Sequence, residues 1–270
     1  MNQDIKYDIF FMPGMAANPK IFEFINLPIN FKINHLEWKM PIKNESISDY
    51  ALRMSNPIKG KNIIIIGVSF GGILVQEISK IIDCKKVIII SSVKSNKELP
   101  LLMQIGKKTK AYKFLNIKWI NDFESLALFV FGPIVKNRIE LYRKYLSVRE
   151  ESYLKWSIHQ IVNWEQTKPI KDIVHIHGTN DLVFPSIYIK NAIFVKGGNH
   201  AMILRKSNWF NKNLPADRRP RLDTFQQNIN YWINQVNITR WANTEQSMNE
   251  NTRDHAKFDQ EVSDLLSDHE

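Results

Sequence analysis

The chain has 270 residues, 44% of them hydrophobic, and its Lys and Arg outnumber Asp and Glu for a formal net charge of +10. That length supports one sizeable core, so one domain of about 200–240 residues with appendages is expected. No run approaches about 18 uninterrupted apolar residues, which argues against a membrane span, and the lone cysteine, Cys84, excludes an internal disulfide framework and fits a reducing, cytoplasmic compartment.

The charge is uneven. Residues 241–270 carry eight acidic and two basic side chains, leaving a tail of −6 on a remainder of +16. A basic body raises nucleic acid as a partner, but no nucleic-acid motif accompanies it, and Lys, Asn and Ile rise together as in A+T-rich coding, so no nucleic-acid partner is expected. The opening MNQDIKYDIFFMPG enters a strand pattern almost at once, with no basic n-region or cleavable apolar segment, so no secretory signal is expected.

In chain order, Tyr7–Met12 reads as a buried strand followed by the loop Pro13-Gly14-Met15-Ala16-Ala17-Asn18. Pro19 to Ile25 suggests a short helix and Phe31 to Trp38 a second strand. Ser46 is a helix cap with Asp49 three residues on, and Ile47, Tyr50, Ala51 and Met54 share the face of the helix it starts. Asn56-Pro57 ends that helix.

The next stretch, KNIIIIGVSFGGILVQEISKII from Lys61 to Ile82, organises the chain. A β-branched burst, Ile63 to Ile66, leads through small residues around Ser69 into a helical pattern with Leu74, Ile78, Ile81 and Ile82 on one face. A strand turning sharply into a helix over Gly67-Val68-Ser69-Phe70-Gly71 is the form of the nucleophile elbow, G-x-S-x-G. The glycines admit close backbone approach, while the helix points free N–H groups at the serine. A pattern of five residues is short, and its weight depends on whether an acid and a histidine follow.

Lys86–Ile90 is another buried strand. Continuous apolar strands alternating with helices argue for an α/β fold with a mostly parallel sheet covered on both faces. From 94 to 168 the alternation stops and aromatic-rich helical patterns take over: Phe123–Phe131, Ile134–Tyr145 and Tyr153–Trp164. An all-helical insertion after the elbow is placed as a cap over a pocket, its aromatic faces lining an apolar substrate site or packing the cap onto the core. Strand pattern resumes at Ile173-Val174-His175-Ile176-His177, followed by a loop bearing Asp181. His175 and His177 alternate and share a strand face, too few ligands for a metal. Ala192–Lys196 is the last strand, and the loop leaving it carries His200. Serine, aspartate and histidine thus follow in the order Ser69, Asp181, His200, each just past a strand, which is the α/β-hydrolase order.

Beyond His200, Leu204–Leu222 reads as a basic surface loop with Trp209 and Phe210 exposed. Thr224–Val236 reads as a helix with Phe225, Ile229, Trp232, Ile233 and Val236 on one face, and residues 241–270 read as an acidic, largely disordered tail, with a short amphipathic helix through Phe258, Val262, Leu265 and Leu266 as the alternative.

Carried by FMPGMAAN, GVSFGG, HGTNDLVFP and GGNHAMI, the chain resembles the α/β-hydrolase superfamily over roughly residues 7–236, and within it small bacterial hydrolases with a short helical cap. The resemblance implies a core of residues 1–93 and 169–240 with a cap insertion at 94–168. It also implies Ser69 as nucleophile, Asp181 as triad acid, His200 as base, and the N–H groups of Met15 and Phe70 as oxyanion hole. Many relatives have His-Gly where this chain has Pro13-Gly14. The implied activity is hydrolysis of an ester or thioester of a small, partly apolar molecule through an acyl-enzyme, with no metal or organic cofactor. Amidase or acyltransferase chemistry on the same triad, and a noncatalytic binding protein on the same fold, are the alternatives. A weaker one is a lipid surface drawn to Lys94, Lys97, Lys107, Lys108, Lys110, Lys113 and Lys118, without stable membrane insertion.

Overall fold

The apolar runs pair side by side in the computed structural model, which describes residues 7–114 and 143–214. They form an all-parallel sheet of six strands in the order β2-β1-β3-β4-β5-β6: β1 (Tyr7–Met12), β2 (Phe31–His35), β3 (Ile64–Val68), β4 (Lys86–Ile90), β5 (Val174–Gly178) and β6 (Ile193–Val195). Three of the four inner strands, β1, β3 and β4, are the continuous Ile-, Val- and Phe-rich segments, because a strand covered on both faces has no polar side to alternate with; the fourth, β5, places His175 and His177 between its apolar residues. Ile9, Phe11, Ile65, Ile66, Ile89 and Ile90 are fully buried, each worth about 2 kcal/mol relative to exposure. Register runs Met12 to Gly67 and Val68 to Ile90, so the carboxyl ends of β1, β3 and β4 lie level.

Order and connectivity locate the crevice. The chain leaves β1 outward to β2, then returns past β1 to β3 and proceeds through β4, β5 and β6. Right-handed crossovers therefore put the β1–β2 connection on one face and the connections after it on the other. Accordingly α1 (Ile47–Ser55) packs on α2 (Phe70–Ile78), and α2 on α4 (Glu151–Asn163), while α5 (Met202–Arg205) packs on the 3₁₀ turn Pro19–Phe22 of the β1–β2 connection. The connections part between β1 and β3, the switch point where open α/β sheets bind ligands.

Local chemistry sets the element ends. Ser46 Oγ accepts from Asp49 N at 3.1 Å and donates to the Asp49 carboxylate at 2.7 Å, starting α1 as expected. The expected helix through Ile25 is instead tight: Glu23 N bonds Lys20 O and Ile25 N bonds Phe22 O, three residues back each time, and only Pro19–Phe22 is 3₁₀. β2 stops at His35, short of Trp38, whose indole N–H leaves to donate to Gly14 O at 2.9 Å. α2 ends at Ile78 rather than carrying through Ile82, because Ile81 N bonds Ile78 O in a tightened turn that leaves Ile81 exposed. β6 spans three residues, not five.

Two expectations are overturned. The segment after His200 is helical, with α5 followed by α6 (Ser207–Asn213), and Phe210 is fully buried instead of exposed. Asn211 explains the anchorage, accepting from Asn26 N and donating to Phe24 O, both at 2.9 Å. Lys94 is no surface lysine: it is buried, its Nζ donating to Lys190 O and Asn191 O and facing Glu98 across 3.7 Å.

Between β4 and β5 the described helices are a 3₁₀ turn Asn96–Glu98, α3 (Leu101–Thr109), a 3₁₀ turn Ala111–Phe114, a helical stretch at 143–145, and α4. The expected helices at 123–131, over most of 134–145 and at 224–236, together with Lys118, positions 215–222 of the basic segment and the acidic tail, lie outside the described residues. Among the described residues no helix is long and apolar enough to cross a membrane.

Candidate active site

Ser69 stands where β3 becomes α2, with φ 53° and ψ −122°. A non-glycine residue there carries strain of about 1–3 kcal/mol, which its surroundings must hold. Ser69 N donates to Ile90 O at 2.9 Å, and Ser69 O accepts from Gly72 N at 2.8 Å and from Ser92 Oγ at 2.7 Å. Strand β4 and the loop after it thus grip the strained residue at both peptide groups.

The glycines of the elbow are there for want of space. A Cβ on Gly67 would lie 2.2 Å from Gly71 O, and one on Gly71 would lie 2.3 Å from Pro13 O. The second contact ties the first turn of α2 to the loop after β1. Gly14 in that loop approaches the serine itself, since a Cβ there would lie 3.2 Å from Ser69 Cβ.

Gly14 opens a tight turn in which Ala17 N bonds Gly14 O at 3.0 Å, with Ala16 at φ 65°. Met15 is the second residue of that turn, whose N–H takes no part in the turn bond. Val148 N donates to Ala16 O and Trp38 Nε1 to Gly14 O, pinning the loop from two sides. Trp38 also stacks on Phe70, 5.1 Å between ring centroids and 5° from parallel. Phe70 is the first residue of α2, so its N–H has no acceptor within the helix. Of the two expected donors, Phe70 thus stands at the head of α2 directly after Ser69, and Met15 stands in the loop after β1 next to Gly14.

The acid and the histidine arrive on loops stitched to each other. Thr179 N bonds Val195 O, Asn180 N bonds Gly198 O, and a Cβ on Gly178 would come within 2.1 Å of Gly198 O. Asp181 is buried and its Oδ1 accepts from the backbone N–H groups of Val183 and Phe184, each at 2.9 Å. His200 Nδ1 lies 3.0 and 2.9 Å from the two Asp181 oxygens, and His200 Nε2 lies 2.8 Å from Ser69 Oγ. Residues separated by 131 positions in sequence thus form one continuous relay from hydroxyl to imidazole to carboxylate. The Phe184 ring packs edge-on against His200 at 5.7 Å.

Burial alone would push the Asp181 carboxyl up. The charge His200 gains on protonation, its hydrogen bond, the like influence of a protonated His177 and the Phe184 N–H outweigh that and hold it below the ordinary range, so Asp181 stays a carboxylate. Behind it His175 Nε2 and His177 Nδ1 are 3.2 Å apart, and His177 Nε2 is 2.8 Å from Phe184 O. Burial drives both histidines down toward the neutral form, His175 well down. With these nitrogens committed to each other and to a carbonyl, the pair is not laid out as metal ligands, and among the described residues no cluster of three or more His, Cys, Asp or Glu could hold an ion. Cys84 is half-buried, and burial followed by the Asp83 charge raises its thiol, which leaves it unreactive.

Of the residues the sequence pointed to, the structure hydrogen-bonds Ser69, His200 and Asp181 to one another; Phe70 follows Ser69 in the chain, and Met15 follows Gly14, which abuts Ser69. The sequence did not single out Gly14, Trp38, Ser92 or a role for His177. The Pro13-Gly14 pair after an apolar strand was the available signal for the first; the others depend on contacts between segments far apart in sequence.

No protein-family model and no curated protein matches the sequence. Solved structures do. An esterase from Exiguobacterium antarcticum is 15% identical with a TM-score of 0.59, covering 78% of this chain and 91% of that one. A hydrolase from Pseudomonas aeruginosa is 12% identical at 0.59 (77% and 88% covered), and a lipase-esterase related protein from Clostridium acetobutylicum 15% at 0.54 (77% and 93%). At such identities the likeness is one of fold, and the chain has the α/β-hydrolase fold.

Proposed function

We propose, from an α/β-hydrolase fold whose switch point holds a hydrogen-bonded serine, histidine and aspartate, that this chain is a serine hydrolase acting on carboxylic esters or thioesters of small, partly apolar molecules. The observation that carries the reading is the relay itself, Ser69 Oγ to His200 Nε2 at 2.8 Å and His200 Nδ1 to Asp181 at 2.9 Å. A serine hydroxyl is a poor nucleophile near neutral pH without a base in hydrogen-bond reach. Here neutral His200 takes the Ser69 proton as Oγ attacks the carbonyl. Asp181 holds the tautomer that leaves Nε2 bare and stabilises the imidazolium. His200 then passes the proton to the leaving group, and in the second half reaction draws a proton from the water that releases the acid.

The N–H groups of Met15 and Phe70 are the donors for the oxyanion, each worth about 3 kcal/mol in the transition state. The rings of Trp38, Phe70, Tyr153 and Trp156 beside the elbow pack on one another, with Phe70 and Tyr153 fully buried, and so seat the elbow on α4. On this reading residues 1–93 and 169–240 form the catalytic core and 94–168 a cap, working in the cytoplasm on a small-molecule substrate.

The test is hydrolysis of p-nitrophenyl acetate, butyrate and octanoate by the full chain. Ser69→Ala is expected to lower kcat by on the order of 10⁴-fold or more, leaving only residual catalysis. Wild-type turnover no faster than that of Ser69→Ala on all three esters would refute the ester reading.

A further inference from the structure

The buried histidine pair on β5 is unused by the chemistry above. A fully buried imidazole is costly unless its nitrogens are paired, and an aliphatic side chain would fill the same place at less cost. His177 is fully buried, and its Nε2 faces the carbonyl oxygen of Phe184 at 2.8 Å. A carbonyl only accepts, so Nε2 carries the proton and Nδ1 is bare in the neutral ring. His175 Nε2, 3.2 Å from that bare Nδ1, must then be the donor. The order of donors is fixed: His175 to His177 to Phe184 O.

Phe184 is where this chain of bonds meets the site. Its N–H donates to Asp181 Oδ1, its ring lies edge-on to His200 at 5.7 Å, and its carbonyl is held by His177. Asp181 Oδ2, the oxygen that takes no bond from the 181–184 turn, lies 3.7 Å from the same His177 Nε2. His177 sits on a strand with neighbours on both sides, paired in register with Phe194, whereas Asp181 and Phe184 are on a loop. We propose that His177 is a positioning residue for the proposed hydrolase reaction: it fastens the 181–184 turn to the sheet through Phe184, so that Asp181 holds the His200 ring in line with Ser69. This rests on the serine-hydrolase reading and deepens it. The groups around His177 are His175, Asp181 and His200, and burial outweighs the Asp181 charge and the bond to Phe184 O, which pull the other way, and holds His177 toward the neutral form. A protonated His177 would turn its Nδ1–H toward the His175 N–H and break the order of donors.

The experiment compares His177→Leu and His177→Gln in the full chain. Glutamine keeps an amide N–H that reaches Phe184 O; leucine keeps only the volume. For His177→Leu we expect kcat on p-nitrophenyl butyrate to fall about tenfold with KM changed less than about twofold, the size of one lost orienting hydrogen bond. The pH profile of kcat/KM should move, and the His200 Nδ1–H proton resonance should shift. His177→Gln should restore most of all three. A folded His177→Leu with wild-type pH profile and an unmoved His200 resonance would overturn the proposal, as would equal losses in both variants that track loss of stability. If His177→Leu does not fold, His177→Met, which also has no N–H but fills the space with a more pliable chain, takes its place; the His200 resonance then differs from that of His177→Gln if the proposal holds and matches it if it fails. The resonance is read without substrate. A chain in which it responds to these substitutions but which hydrolyses no ester keeps the positioning role and loses the hydrolase reading.

Discussion

Helices α2 and α3 are each nine residues long and could hardly be used more differently. Every residue of α2 is buried, with Gly71 pressed against the backbone of Met12 and Pro13 and Gly72 against the Ser92 side chain. Not one residue of α3 is buried: Leu101, Leu102 and Ile105 face outward beside Lys107 and Lys108. The difference follows from position. α2 begins at the switch point and must hold a strained serine against β1, β3 and β4, so each atom added there collides with something that cannot move. α3 lies in the long β4–β5 connection with no residue buried, so change there meets little resistance. Tolerance in this molecule should therefore fall steeply toward the carboxyl end of β3.

Gly71→Ala is the strongest way to break that contrast. Its Cβ would meet Pro13 O at 2.3 Å and Met12 O at 2.6 Å, both backbone, so the loop carrying Gly14 and Met15 must shift. We expect a loss of about 3 kcal/mol or more in urea denaturation, with ester hydrolysis falling further than stability does. Wild-type stability would mean that the head of α2 is not tightly seated.

Acid should sharpen the contrast with a smaller effect. His175 and His177 are neutral in the fold, mainly through burial, and each binds a proton on unfolding below the ordinary histidine value of 6.5. The unfolded chain then takes up more protons than the folded one, so stability falls as pH drops through 6.5, by up to about 1.4 kcal/mol per pH unit for each histidine. Asp181, held below its ordinary 3.8, adds a further loss as pH falls from there through its folded value. Urea midpoints from pH 8 to pH 5 should show a plateau above pH 7 and a decline below it, and a flat profile throughout would show that the pair protonates within the fold.

Leu102→Ser is the control at the other pole. Leu102 is 83% exposed, so the expected change in unfolding free energy is within about 0.5 kcal/mol. A larger loss would mean that α3 is covered in solution and that the contrast between the two helices is less than it looks.

What could be read from sequence follows the same division. The strands β1, β3 and β4 were legible as uninterrupted apolar runs, and the Ser46 cap as a hydroxyl with a carboxylate three residues on, because those signals are local. Ser69, Asp181 and His200 were legible as an ordered set, each just past a strand. Side chains whose partners lie far away in sequence were not. Lys94 reads as one more lysine in a basic series until Lys190 and Asn191 supply their carbonyls. Phe210 reads as exposed until Asn211 ties its helix to Phe24 and Asn26. Trp38 reads as the end of a strand, whereas its indole is spent on Gly14. The shortening of α2 at Ile78 leaves no mark in the sequence, because Ile81 and Ile82 continue the helical spacing beyond the end of the helix.

The central claim is that Ser69 is activated where it stands, and the most direct measurement is covalent labelling by a fluorophosphonate, followed by intact mass and peptide mapping on wild type, Ser69→Ala and His200→Ala. The account predicts one adduct per wild-type chain, mapped to Ser69, and none on either variant. A folded wild-type protein that stays unlabelled, or one labelled equally after His200→Ala, would contradict it, because the serine would then owe nothing to the relay 2.8 Å away.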